Sequence, residues 1–223
     1  PDPHEPAELQ DYRELVQIKE DWTAGVGESL TGLLTPAVTE RGIYAAGDRS
    51  VYLLDPATGK KLWETETESE ITAGVGTDGR LVAVGTASGE LEVFDETGKK
   101  LWQVKLSGEM SVPLVGSGFV VVRTADTRVT AFDAATGERR WRYQSQVPAL
   151  TVRTAAQMKF SPAGILVGQA NGRLLALDAQ GKMVFDAVIA QPKGITEVER
   201  LVDVVGSPFV DGRMMCAAAF QGN

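Results

Sequence analysis

Four aspartates recur at one position of a repeated segment: Asp55, Asp95, Asp133 and Asp178. Carboxylates are the groups of general acid–base catalysis and of hard-cation sites, and either use requires several of them to converge. One aspartate per successive repeat spreads them apart instead. The sequence therefore points to a turn, in its fullest form Asp-x-x-Thr-Gly. There the carboxylate accepts nearby backbone N–H groups and glycine supplies a positive φ. Trp63, Trp102 and Trp141 come after these turns at a constant interval of 39 residues, and Phe185 takes the same place in a fourth, longer repeat. A row of indoles could stack on sugars, but regular spacing favours packing between neighbouring repeats, with one N–H each to satisfy.

Other reactive residues are sparse. Gly74-Val75-Gly76-Thr77-Asp78-Gly79 matches the G-x-G-x-x-G dinucleotide fingerprint letter for letter. That chemistry needs a helix after the glycines, and Arg80-Leu81-Val82-Ala83-Val84 reads as a strand. The one histidine, His4, stands in a Pro-rich opening segment, away from any Ser-His-Asp arrangement or His-rich metal site. Cys216 is the one cysteine, so no internal disulfide forms, and its apolar surroundings Met214 to Ala219 predict a buried core thiol. No residue is assigned to catalysis, to a cofactor or to a metal.

The 223 residues carry 30 acidic against 22 basic side chains. A net charge of −8 argues against a nucleic-acid binder and against adhesion to anionic lipid. Residues 1–14 read as a solvated tail. Each repeat of about 40 residues holds four short apolar runs separated by Gly- or Asp-containing turns, the length and content of a four-stranded propeller blade. The second run of each is Gly42 to Gly47, Arg80 to Gly85, Gly118 to Thr124 and Gly164 to Gln169. The expected fold is all-β: an incomplete β-propeller over 15–223, about four and a half blades. The blades fall at about 35–66, 71–106, 111–145 and 155–190, with a fifth starting over 206–223. Leu15 to Trp22 reads as an orphan fourth strand, with weak helical periodicity near Leu9 to Ile18. Connections between successive blades emerge on one face, and 145–154 and 190–206 are the longest of them, a hint of function.

The repeat resembles those of quinoprotein-type propellers. Three further stretches narrow the resemblance to the BamB family of outer-membrane assembly lipoproteins. They are Gly42-Ile43-Tyr44-Ala45-Ala46-Gly47-Asp48-Arg49, Val147-Pro148-Ala149-Leu150-Thr151-Val152-Arg153 and Glu197-Val198-Glu199-Arg200-Leu201-Val202-Asp203-Val204-Val205. The resemblance implies a non-enzymatic scaffold with eight blades, lipid-anchored at the periplasmic face of the outer membrane. It implies BamA's periplasmic domains as partner, with nascent, unfolded outer-membrane proteins as a second class. Carried over by position, the partner-binding residues are Leu150, Val152, Arg153 and Asp203. Val152 stands in place of a family leucine, and Val205 in place of a second family aspartate. A quinone-dependent dehydrogenase is the enzyme alternative, although the adjacent-cysteine pair of many such enzymes is absent. A generic propeller adaptor for another partner is the third reading. Open blade ends add an expectation of self-association.

Overall fold

A computed structural model of the chain describes residues 16–29, 31, 34–145, 158–169, 172–191, 203–212 and 214–219. The elements that build it are β-strands. The first sheet is β1 (Ala37–Thr39), β2 (Gly42–Gly47), β3 (Ser50–Leu54) and β4 (Lys61–Glu66). The second is β5 (Ile71–Thr77), β6 (Val82–Thr86), β7 (Glu90–Phe94) and β8 (Lys100–Lys105). The third is β9 (Leu114–Gly116), β10 (Phe119–Arg123), β11 (Arg128–Asp133) and β12 (Arg139–Gln144). The fourth is β13 (Lys159–Ser161), β14 (Gly164–Gly168), β15 (Arg173–Leu177) and β16 (Met183–Val188). A two-stranded fifth sheet pairs β17 (Val204–Asp211) with β18 (Met214–Ala219). Each four-stranded sheet is an antiparallel meander in chain order, which is a propeller blade.

The blades stack face to face, so their middle strands are buried on both sides. This is why Ile43 to Gly47, Val82 to Gly85 and Val120 to Val122 read as apolar runs rather than as alternations. The core is divided into layers between sheets. Tyr44, Val51 and Leu53 of the first blade meet Val82, Val84 and Phe94 of the second. Leu91 and Val93 meet Val120, Val122 and Phe132. Val121 and Ala131 meet Ile165, Val167 and Leu175. Such a stack is held by nearest-neighbour interfaces.

Each blade carries the same bulge. Leu53 pairs with Trp63 while Leu54 pairs with Lys61, which leaves Leu62 outside the ladder. The same shift sets aside Leu101, Arg140 and Val184. A bulge adds a residue to one strand and re-aims its neighbours. Here it turns the next aromatic toward the neighbouring blade and leaves Leu62 and Leu101 exposed.

Two expectations change. Cys216 is exposed, not a buried core thiol, because it lies on the face of β18 opposite the one packed on the fourth blade, and no described blade stacks there. Of the segment expected as an orphan fourth strand, residues 16–22 pair with no sheet. Trp22 nevertheless docks on the first blade as the later tryptophans dock on theirs. The 1–14 tail lies outside the described residues. Gly74 and Gly76 of the fingerprint-like stretch lie in β5, and the turn at Gly79 leads into the strand β6.

Candidate partner-binding surface

The repeated aspartates are consumed by their turns. Asp55 Oδ1 accepts the N–H groups of Ala57 (2.9 Å) and Thr58 (2.8 Å) and the Thr58 hydroxyl (2.9 Å). Asp95 Oδ1 accepts from Thr97 N (2.9 Å), Thr97 Oγ1 (2.6 Å) and Lys99 N (3.0 Å). Asp133 takes Ala135 and Thr136 N–H, and Asp178 takes those of Gln180 and Lys182. At Asp55, Asp95 and Asp133 these bonds favour the ionised form. The Thr58 hydroxyl, then its N–H, hold the Asp55 carboxyl below its ordinary range. The Thr97 hydroxyl does so for Asp95, and the Thr136 N–H for Asp133.

The turn is also the socket for the preceding blade's tryptophan. Trp63 Nε1 donates to Glu96 O at 3.0 Å, Trp102 Nε1 to Ala134 O at 2.9 Å and Trp141 Nε1 to Ala179 O at 2.9 Å. Trp22 Nε1 donates to Pro56 O at 3.1 Å. At Gly98, φ is +84° and an added Cβ would stand 2.9 Å from the Trp63 ring, so the left-handed turn and the ring contact both demand glycine. One carboxylate oxygen of each aspartate and the N–H of each of these tryptophans are thus engaged within the fold. Among the described residues, no three His, Cys, Asp or Glu side chains group together as a metal site.

Of the partner-binding residues expected from sequence, Leu150, Val152 and Arg153 lie outside the described residues. Asp203 is described, immediately before β17. It is buried, with 6% of its surface exposed, whereas a connection between blades leads one to expect an exposed carboxylate. Within electrostatic reach of it lies Arg123, the last residue of β10, which sequence reasoning missed. Its Nη1 donates to Gly168 O at 2.8 Å, at the end of β14. Burial pulls the Arg123 pKa below its ordinary value, and the Asp203 charge opposes that fall. Val204 N donates to Gln169 O at 3.0 Å, which seats the start of β17 on the fourth blade. Gly168 permits this: an added Cβ would stand 2.8 Å from Val204 O. Both side-chain polar atoms of Gln169 are buried, with no hydrogen-bond partner among the described residues. The signal for Arg123 was a lone cation closing the apolar run Phe119 to Val122.

Four complete meanders joined by aromatic sockets, with reactive residues spent on turns, define a β-propeller of structural repeats. The family profile for "Outer membrane protein assembly factor BamB" matches residues 47–223. The chain belongs to the BamB family. It is 41% identical over 224 residues to outer membrane protein assembly factor BamB of Bordetella pertussis, covering 99% of this chain and 58% of that one. The Burkholderia pseudomallei protein of the same name is 40% identical, covering 97% and 58%. The chain thus spans a little over half the length of these relatives. The crystal structure of BamB from Moraxella catarrhalis superposes with a TM-score of 0.77 at 31% identity, covering 84% of this chain and 58% of that one. Quinohemoprotein alcohol dehydrogenase from Comamonas testosteroni superposes with a TM-score of 0.58 at 20% identity, covering 82% and 37%. That second likeness shows the fold alone.

Proposed function

We infer that this chain forms part of a non-enzymatic scaffold of the outer-membrane β-barrel assembly machinery, and that it binds BamA's periplasmic domains. The observation that carries the reading is the BamB family match across 47–223, on a blade array whose repeated carboxylates and indoles are consumed by packing. The working surface is the pair of connections between blades three and four and between blades four and five. Leu150 and Val152 supply apolar area there, and Arg153 supplies charge-assisted bonds to a carboxylate or to backbone carbonyls. Asp203 acts from beneath, fixing the second connection. The site of action is the periplasmic face of the outer membrane, reached through a lipid anchor on the full-length precursor. Unfolded outer-membrane proteins are a second class of partner. The whole propeller has eight blades, of which this chain supplies the four complete ones and part of a fifth.

Affinity capture on immobilised BamA periplasmic domains tests this. Arg153→Glu and Leu150→Ala are expected to weaken capture, the charge reversal by about tenfold or more, with melting temperatures within a degree or two of the parent's. If both variants are captured like the parent, the partner site is elsewhere.

A further inference from the structure

The fourth blade departs from its neighbours along its outer strand. The ladder there opens with Lys61, Lys100 and Arg139 on the first three blades and with Met183 on β16. It closes with Glu66, Lys105 and Gln144 on those three and with Val188 on β16. The residue that the bulge sets aside on β16 is Val184. Met183, Val184 and Val188 are each more than half exposed, and Ile189 is exposed just beyond them. Asp186 is the one charge of β16, and Arg173 holds it, with Nε donating to Oδ1 at 2.8 Å. β16 also ends its sheet: β15 lies on one side, and among the described residues no strand pairs with the other. Edge strands are ordinarily guarded by charged side chains, as β4, β8 and β12 are here. Those three blades show that the scaffold accepts charged and polar side chains at these places, so packing does not account for the apolar set on β16.

We propose that the free edge of β16 is a docking site for an extended, uncharged segment, which adds to the fourth blade as a further strand. The occupant it fits is a transmembrane β-strand of an outer-membrane barrel that has not yet folded. This rests on the reading of unfolded outer-membrane proteins as a class of partner. Strand addition uses the unpaired N–H and C=O groups of the edge and leaves specificity to the side chains beside them. A helix satisfies its own backbone groups and has no use for such an edge. Met183, Val184 and Val188 then select apolar neighbours, because a Lys or Glu of the incoming strand would lose water against them without gaining a partner. Barrel strands meet both demands, being extended and alternating apolar with polar residues along their length.

The test uses the intact chain with two probes: a small outer-membrane barrel held unfolded in dilute urea, and a synthetic peptide copying one of its transmembrane strands. Hydrogen exchange with the peptide bound should slow at amides of β16, while those of β4, β8 and β12 keep the free chain's rates. Methylating the peptide's amide nitrogens removes its donors and should abolish binding. Met183→Lys with Val188→Lys gives β16 the residue type that β8 carries at both places, Lys100 and Lys105, so the fold is kept. The double variant is expected to bind both probes about tenfold more weakly or worse, with a melting temperature within a degree or two of the parent's. Equal binding by parent and variant, or of methylated and unmethylated peptide, would overturn the proposal. So would β16 protection that grows with chain concentration in the absence of peptide, since the occupant would then be a second copy. No capture of the unfolded barrel by the parent would end the client reading and this proposal with it, whereas capture that leaves β16 unprotected ends the docking site alone.

Discussion

Asp55, Asp95 and Asp133 each exchange solvent for two or three donors within their own turn, and each is held below the ordinary carboxyl value of 3.8. A folded-state pKa below the unfolded one means that the unfolded chain binds more protons as pH falls. The turns' contribution is therefore fully present above pH 3.8 and is lost as pH drops through the depressed values. Thermal melts from about pH 5 down to about pH 3 should show a falling midpoint, and the triple variant Asp55→Asn, Asp95→Asn, Asp133→Asn should flatten that slope. Equal slopes for parent and variant would show that these carboxylates do not set the acid response. The turn role of these aspartates was legible in the sequence because it needs only local spacing. Glu92 was not. It lies in Leu91-Glu92-Val93-Phe94, where alternation would turn it to solvent, yet it is 0% exposed. Propeller strands bury both faces, and Lys100 Nζ reaches in to 2.7 Å from Oε2 as an ion pair, its angles short of a hydrogen bond. The burial of Asp203 and the bond from Arg123 to Gly168 escaped for a related reason: both depend on how blades stack, which no spacing along the chain encodes.

At the scale of the element, the unit that recurs is a bulged outer strand plus the next blade's turn. The bulge sets Leu62, Leu101, Arg140 and Val184 outside their ladders and aims the next aromatic across the gap. The interval between tryptophans made the blades readable, but the bulge was not, since it is a property of pairing. First residues of the outer strands repeat a role as well: Lys61 Nζ lies 4.6 Å from the Tyr52 ring centre, and Lys100 covers Glu92 at the equivalent place. Trp102 packs on Phe132 with ring centroids 6.1 Å apart and donates to Ala134 O. Trp102→Ala should cost about 3–5 kcal/mol through the cavity it leaves, and Trp102→Phe about 1 kcal/mol through the lost hydrogen bond. Denaturant melts of the two variants separate these contributions. A Phe variant as unstable as the Ala variant would place the energy in the hydrogen bond instead of the packing.

In the whole molecule, stability passes from blade to blade through apolar layers, and among the described residues the fifth sheet leaves large apolar side chains exposed. Phe209 and Met214 are each more than half exposed. A strand pair with an apolar outer side invites association. Sedimentation of this chain should show a species growing with concentration, suppressed by Phe209→Ser with Met214→Ser. A single monomer at every concentration would contradict that. In the proposed reading the blades are a frame, and the connections between them do the binding. Hydrogen exchange of the chain with and without BamA's periplasmic domains tests that division of labour most directly. Protection is expected at 146–157 and 192–203, with the outer strands β4, β8 and β12 and the aspartate turns unchanged. Protection confined to those outer strands or turns, or none at a saturating partner concentration, would contradict it.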